Sequence, residues 1–168
     1  MAGMLSPQEY TTYGMLSKYD WSPRFVSALM GSIDVETGGS FDYQKKQKGG
    51  PGRGLFQFEK KHLSDYLDYL KENNLKDSPE NQIAFVYKNI TTDTYSKDAM
   101  GKYVSDAPHE IGGTDRAFLQ DSMKEESTDE ATDTLMDSYF KSGTPHIGRR
   151  KKSAEKYRKA LNIKSLYN

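Results

Sequence analysis

The sequence predicts a mostly α protein that folds as a single domain. Three segments open with serine followed by proline, at residues 6, 22 and 78. This pair is a strong helix start, because the serine caps the first turn and the proline lacks an N–H that would have no partner there. Apolar residues recur at helical spacing in several stretches, whereas few stretches alternate with period two. The chain of 168 residues suits one domain, and neither an internal repeat nor a linker divides it.

The helices are predicted in chain order from these starts and from apolar spacing. Glu9 completes a capping box with Ser6, and the pair Gly38-Gly39 stops the second helix. A fourth helix follows from Leu63, Tyr66, Leu67 and Leu70, all expected to face inward. The predicted helices cover about 7–18, 23–37, 60–73, 79–92, 114–124, 128–141 with Thr128 as its cap, and 146–161.

Residues 40–58 are the main exception to this helical pattern. The segment SFDYQKKQKGGPGRGLFQF combines aromatic residues, a lysine-rich turn, and then four glycines and a proline within six residues. A short β-hairpin or an irregular loop fits this composition better than a helix. The region 91–113 is also predicted to be rich in loops.

The composition excludes several classes of function. Formal net charge is zero, which argues against a general polyanion-binding protein, so no nucleic-acid partner is expected. The chain has no cysteine, and its three histidines lack metal-ligand spacing, so neither a metal nor another cofactor is expected. The N-terminus lacks the basic and apolar regions of a signal peptide, and no apolar run approaches the roughly 20 residues that span a bilayer.

Glu36 is a charged residue at a position where the helical pattern predicts an apolar one. It lies about 20° around the helical wheel from Leu29, so it continues the apolar stripe of the second helix at its C-terminal end. Partial burial and the negative end of the helix dipole both disfavour the charged carboxylate, which suits a general acid. An acid near a helix end is more often solvated or paired with a cation, and that reading stays open here.

The residues after Glu36 favour a ligand groove. Gly38-Gly39 clears side chains from the carboxylate, and GGPGRGLFQF then places the polar Gln57 among aromatic residues. Glycines that admit a backbone, an aromatic wall and one amide are what a sugar groove requires. An ordinary turn that enters a buried strand would show the same pattern.

These motifs resemble those of the lysozyme-like superfamily of peptidoglycan hydrolases. Goose-type lysozymes and lytic transglycosylases carry E-[ST]-x-x-F and G-x-x-G-L-[MF]-Q patterns, and the similar segments here are ETGGSF at 36–41 and GGPGRGLFQF at 49–58. The chain is most similar to the phage tail lysozyme domain family, whose members tend to end with an aromatic helix, a turn like G-x-P-H and an arginine-rich helix. The corresponding residues are DSYFKSGTPH at 137–146, followed by Arg149-Arg150, so the resemblance runs from about 22 to 161.

The resemblance implies a mostly helical lysozyme-like fold with Glu36 as the catalytic acid. Glu36 would protonate the glycosidic oxygen between N-acetylmuramic acid and N-acetylglucosamine. Asp42 is the best-placed second carboxylate, although aspartate there is also a common turn residue. The expected substrate-binding residues are Gln57, Gly54, Phe56 and Tyr43.

The reaction after protonation has two alternatives. An inverting hydrolase needs a second carboxylate, whereas a lytic transglycosylase uses the 6-hydroxyl of the muramic acid. The transglycosylase pattern has a serine shortly before a Gly-Ala pair, where this chain has Gln47-Lys48 and then Gly-Pro-Gly-Arg. Hydrolysis and transglycosylation therefore both remain open.

We accordingly expect a phage muramidase acting on bacterial peptidoglycan, located in the virion tail or at the host cell wall. Residues 1–21 would form an N-terminal helical extension packed on a lysozyme-like domain of residues 22–168. Other tail or virion proteins are the expected partners. The alternatives are a non-catalytic structural or adaptor protein of the particle with a lysozyme-like fold, and a lytic transglycosylase or chitinase-like glycosidase.

Overall fold

The structure is a computed structural model that describes residues 5–91, 95–97, 103–105, 127–140 and 146–165. It is mainly helical, as predicted. The helix predicted at 114–124 lies outside the described residues. Within the described ranges, no helix is both long and apolar enough to span a bilayer. The helices are α1 (Pro7–Leu16), α2 (Pro23–Thr37), α3 (Lys60–Glu72), α4 (Pro79–Thr91), α5 (Thr128–Leu135) and α6 (Ile147–Ser165), and a π-helical turn, Met136–Phe140, continues α5.

The helix starts follow the predicted capping chemistry, with one exception. The Ser6 hydroxyl accepts a hydrogen bond from the N–H of Glu9, and the Glu9 side chain accepts one from the N–H of Ser6, at 3.2 and 2.6 Å. The prediction of Thr128 as a cap is wrong by one residue, because Ser127 caps α5 and forms the capping box with Glu130. Both hydroxyl residues have the right chemistry, but only Ser127 stands three residues before a glutamate.

The non-helical segments are short. Residues 40–58 form an irregular loop, held by isolated β-bridges that pair Lys46 with Arg53 and Arg53 with Phe58. An antiparallel pair of strands, β1 (Tyr95–Lys97) and β2 (Tyr103–Ser105), lies in the region predicted to be loop-rich. Strands of three residues are too short to show a period-two pattern in the sequence.

Helix α2 lies at the centre of the core, and α5 and α6 pack on it. Nine consecutive residues of α2, Phe25 to Ile33, are buried. Gly31 allows the closest approach, because a Cβ there would lie 2.5 Å from the backbone nitrogen of Ala154 and 2.8 Å from the carbonyl oxygen of Arg150. Any side chain at this position would push α6 away from α2.

Helix α3 contributes less to the core than its spacing predicts. Tyr66 and Leu70 are buried, and Leu63 packs partly against the core. The prediction that Leu67 faces inward is wrong, because its side chain is 53% exposed. Leu67 lies within the apolar arc of the helical wheel of α3. The face of α3 that contacts the other helices is narrower than this arc, so Leu67 stays exposed.

Glu9 ties α1 to α6. Its Oε1 accepts hydrogen bonds from the Tyr157 hydroxyl at 2.6 Å and from Lys156 Nζ at 2.8 Å. Burial alone would raise the pKa of Glu9, but the bonds from Lys156, Tyr157 and the Ser6 backbone outweigh it and lower this pKa from 4.5 to about 2. Glu9 therefore favours the folded state as a carboxylate.

This network predicts acid-dependent stability. Because the pKa of Glu9 is lower in the folded state, its contribution is present above its ordinary pKa of 4.5 and is lost as the pH falls toward 2. Half-exposed Lys156 is screened by water, so we expect about 1–2 kcal/mol at neutral pH. Urea unfolding of wild type and Glu9→Gln at pH 7 and pH 3 should show a difference that shrinks at the lower pH. A constant difference would mean that the Glu9 charge is irrelevant.

Candidate active site

Glu36 occupies the last turn of α2, at the edge of the core. Its side chain is 19% exposed, which is the partial burial that the helical wheel predicts. The helix ends immediately afterwards because Gly38 adopts the left-handed conformation, with φ of 60°. The N–H of Gly39 closes the helix end by donating to the carbonyl of Asp34 at 2.7 Å. Because Gly38 and Gly39 have no side chains, this turn places none next to the Glu36 carboxylate.

Thr37 fixes the turn that follows Glu36. Its buried hydroxyl donates to the carbonyl of Ile33 at 2.7 Å and accepts from the N–H of Phe41 at 3.1 Å. Phe41 is buried with φ of 50°, a conformation that side-chain-bearing residues rarely adopt. These bonds place the start of the 40–58 loop at a defined position beside Glu36.

Arg150 of α6 forms an ion pair with Glu36. Its Nη2 lies 2.6 Å from Glu36 Oε1, and its Nη1 donates to the carbonyl of Ser32 at 3.5 Å. The Arg150 side chain is only 2% exposed, so the charge is held inside the protein. This contact is the pairing with a cation that the sequence left open for Glu36. Glu36 Oε2 has no hydrogen-bond partner among the described residues.

Phe140 connects this ion pair to the glycine-rich loop. The guanidinium carbon of Arg150 lies 5.2 Å from the centre of the Phe140 ring, and Phe140 stacks on Phe56 with ring centres 6.3 Å apart. Phe56 itself is 3% exposed and packs in the core, which leaves little of its ring for a ligand. Phe140, in the π-helical turn, thus contacts both Arg150 and the loop.

Gln57 and Gly54 organise the loop from within. The Gln57 amide nitrogen donates to the carbonyl of Gly54 at 2.8 Å and to that of Lys45 at 3.2 Å. Gly54, with φ of 84°, donates its own N–H to Lys45 at 2.8 Å. The side-chain oxygen of Gln57, Oε1, accepts no hydrogen bond within the described residues.

Gln82 of α4 holds the loop against the helices, a role that no motif in the sequence predicts. Its Oε1 accepts from the N–H of Leu55 at 2.8 Å, and its Nε2 donates to the carbonyl of Tyr43 and to Asp77 Oδ1, both at 2.9 Å. The side chain is 2% exposed, and a Cβ on Gly54 would lie 2.5 Å from Gln82 Oε1. The sequence indicates this role only through the position of Gln82, whose amide lies next to Ile83 on the inner face of a predicted helix.

Asp42 and Tyr43 lie at the beginning of the loop. Asp42 is exposed, and its Oδ1 accepts from the N–H of Gln44 at 2.9 Å, which is the geometry of an Asx-turn. No hydrogen bond between Asp42 and Glu36 occurs in the described part of the chain. Tyr43 is half-buried and lines two cavities.

Asp34 and His62 both have partners within the fold. Asp34 accepts a hydrogen bond from the Ser153 hydroxyl of α6. His62 Nε2 lies 2.8 Å from the hydroxyl of Tyr139, which is buried in the π-helical turn. In the described ranges, no three potential metal ligands cluster together.

A known protein family matches most of the chain. A family model described as "Phage tail lysozyme" matches residues 8–161. This range includes Glu36, the 40–58 loop and Arg150. No curated protein matches the chain.

Proposed function

The chain belongs to the phage tail lysozyme family, and from that premise we propose that it is a muramidase that cleaves bacterial peptidoglycan. The bond cleaved would be the glycosidic bond between N-acetylmuramic acid and N-acetylglucosamine. One observation carries the proposal: a partly buried carboxylate, Glu36, is held by a buried arginine at a helix end that two glycines keep open.

Glu36 would act as the general acid. Arg150 occupies Oε1 and so fixes the orientation of the carboxyl group, while Oε2 has no partner among the described residues. A proton on Oε2 could be delivered to the glycosidic oxygen, and the sugar would leave as an alcohol. Positive charge then develops at the anomeric carbon, as in other glycosidases.

As a general acid, Glu36 must carry a proton, taken from solvent on Oε2, when the glycan strand is in place. Arg150 is bonded to Oε1 and keeps the carboxyl group in a fixed orientation.

Two routes can complete the reaction. Asp42 could activate a water, which in an inverting hydrolase requires about 6.5–9.5 Å between the two carboxyl groups. Alternatively, the 6-hydroxyl of the muramic acid could attack the anomeric carbon, and the chain would need no second acid. The Asx-turn of Asp42 leaves one carboxylate oxygen toward solvent in either case.

Product analysis distinguishes these routes and tests the proposal. Purified peptidoglycan would be digested with wild type and with Asp42→Asn, and the soluble products identified by mass spectrometry. We expect wild type to release muropeptides with reducing ends, and Asp42→Asn to slow this release about 100-fold or more if Asp42 is the base. Anhydro-muropeptides would assign a transglycosylase instead. Absence of any release by wild type would refute the proposal.

The family also suggests where the enzyme acts. We propose that it is part of a phage tail and opens the wall locally, with other virion proteins as partners. A non-catalytic adaptor is the second candidate, because the ion pair between Glu36 and Arg150 could also serve only to hold α2 against α6. Parallel digestion of chitin would test the chitinase-like alternative.

A further inference from the structure

Two cations face each other across the glycine-rich loop. Lys46 and Arg53 are partners in an isolated antiparallel bridge. The flanking hydrogen bonds run from the N–H of Gln47 to Gly52 and from the N–H of Gly54 to Lys45, both 2.8 Å. Lys46 and Arg53 are therefore a non-hydrogen-bonded pair, the arrangement in which opposed side chains lie closest together.

Such a pair is unfavourable by itself. Like charges directly opposite each other destabilise antiparallel strands. Among the described residues, no ion pair involves Lys46 or Arg53, and no acidic residue occurs between Tyr43 and Phe58. An anionic group bound between the two cations would remove the repulsion.

Both cations line one cavity of about 220 Å³. Its wall is mixed: Leu63 and the exposed Leu67 are apolar, whereas Asp77 and Gln82 are polar. Asp77 Oδ1 accepts from the Tyr66 hydroxyl at 2.6 Å and from Gln82, while its Oδ2 has no partner in the described part of the chain. The volume is below the roughly 300–1,000 Å³ of pockets that enclose a whole drug-sized ligand, so this cavity suits one branch of a larger molecule.

We propose that this cavity binds the short peptide stem that peptidoglycan carries on its muramic acid. The proposal rests on the proposed function, because the stem is attached to the glycan that Glu36 would cleave. A stem peptide combines carboxylates, small apolar side chains and N–H or amine donors. Lys46 and Arg53 bind the carboxylate, Leu63 and Leu67 contact the apolar side chains, and Asp77 Oδ2 accepts from an N–H.

The mixed lining favours a peptide over a phosphate polymer of the cell wall. A polyphosphodiester chain carries only negative charge and would be repelled by Asp77. It would also gain nothing from the exposed leucine at the rim. A peptide offers a partner for each of these groups.

Binding of a soluble muropeptide tests the proposal directly. The ligand would be the disaccharide N-acetylglucosaminyl-N-acetylmuramic acid with its stem, compared by calorimetry with the same disaccharide without the stem. A muramidase leaves the bond within this disaccharide intact, so wild-type protein can be used. We expect the stem to improve the affinity about 10-fold or more, and the double variant Lys46→Gln/Arg53→Gln to lose that gain.

The matched control changes the same charge elsewhere. Lys18 and Lys71 are exposed lysines that do not line the cavity, and Lys18→Gln/Lys71→Gln should bind like wild type. Equal affinity for the two ligands, or equal loss in both double variants, would overturn the proposal. Binding of poly(glycerol phosphate) as tight as that of the muropeptide would also overturn it and assign a general polyanion surface.

A second measurement separates this proposal from the proposed function. Wild type would be incubated with intact peptidoglycan and with glycan strands stripped of their stems by an amidase. Stem-dependent binding without cleavage of either substrate would support the stem site and refute the muramidase. Equal cleavage of both substrates, without stem-dependent binding, would do the reverse.

Discussion

Glu36→Gln is expected to reduce the release of muropeptides from purified peptidoglycan about 100- to 10,000-fold. Glutamine preserves the shape of the side chain but has no proton to donate to the glycosidic oxygen, and general acid catalysis typically contributes this range. The measurement is product release by mass spectrometry, at equal concentrations of folded protein. The matched control is Glu59→Gln, which makes the same chemical change at an exposed position just before α3.

The same substitution should also affect stability. Arg150 would keep its buried charge but lose the carboxylate 2.6 Å away. Thermal unfolding followed by circular dichroism must therefore accompany the assay, so that loss of folded protein is not read as loss of chemistry. If folded Glu36→Gln digests peptidoglycan at the wild-type rate, the catalytic role is refuted and the non-catalytic adaptor is favoured.

Arg150→Met is expected to lower the free energy of unfolding by about 3 kcal/mol. Breaking a buried ion pair by removing one partner typically costs about 3–5 kcal/mol, and the partial exposure of Glu36 places this case at the lower end. Methionine fills much of the same volume, so the effect reports the charge more than a cavity. Denaturant unfolding would measure it, with Arg149→Met as the control at the neighbouring exposed position.

A double-mutant cycle distinguishes the ion pair from other roles of Arg150. The variant Glu36→Gln/Arg150→Met should be more stable than the sum of the two single changes predicts, by about 1–3 kcal/mol. Strict additivity would mean that the pair contributes nothing and that the loss in Arg150→Met comes from its contacts with Ser32 and Phe140. Arg150→Met should also lower activity at temperatures where it remains folded, because Glu36 would lose its orientation.

The parts of this structure that could be predicted from sequence depend on local chemistry. Ser6 and Ser22 start helices through bonds to residues three positions away, and Gly38 ends one through its own backbone conformation. The partial burial of Glu36 follows from the same reasoning, because it depends only on the spacing within α2.

Contacts between distant segments could not be predicted in this way. The pairing of Arg150 with Glu36 joins residues 114 positions apart. The hydrogen bond from the Leu55 N–H to Gln82 likewise spans 27 positions. A single sequence shows which residues can form such bonds, and the tertiary fold decides which of them meet.

The contact between Gly31 and Ala154 can form only late during synthesis of the protein. Ala154 of α6, which covers Gly31 of α2, is synthesised about 120 residues later. At roughly 5–20 residues per second, the buried face of α2 waits about 6–25 s for that cover. A nascent chain that stops before Arg150 also lacks the cation that orients Glu36. Partial translation products would therefore carry the proposed acid without the partner that positions it.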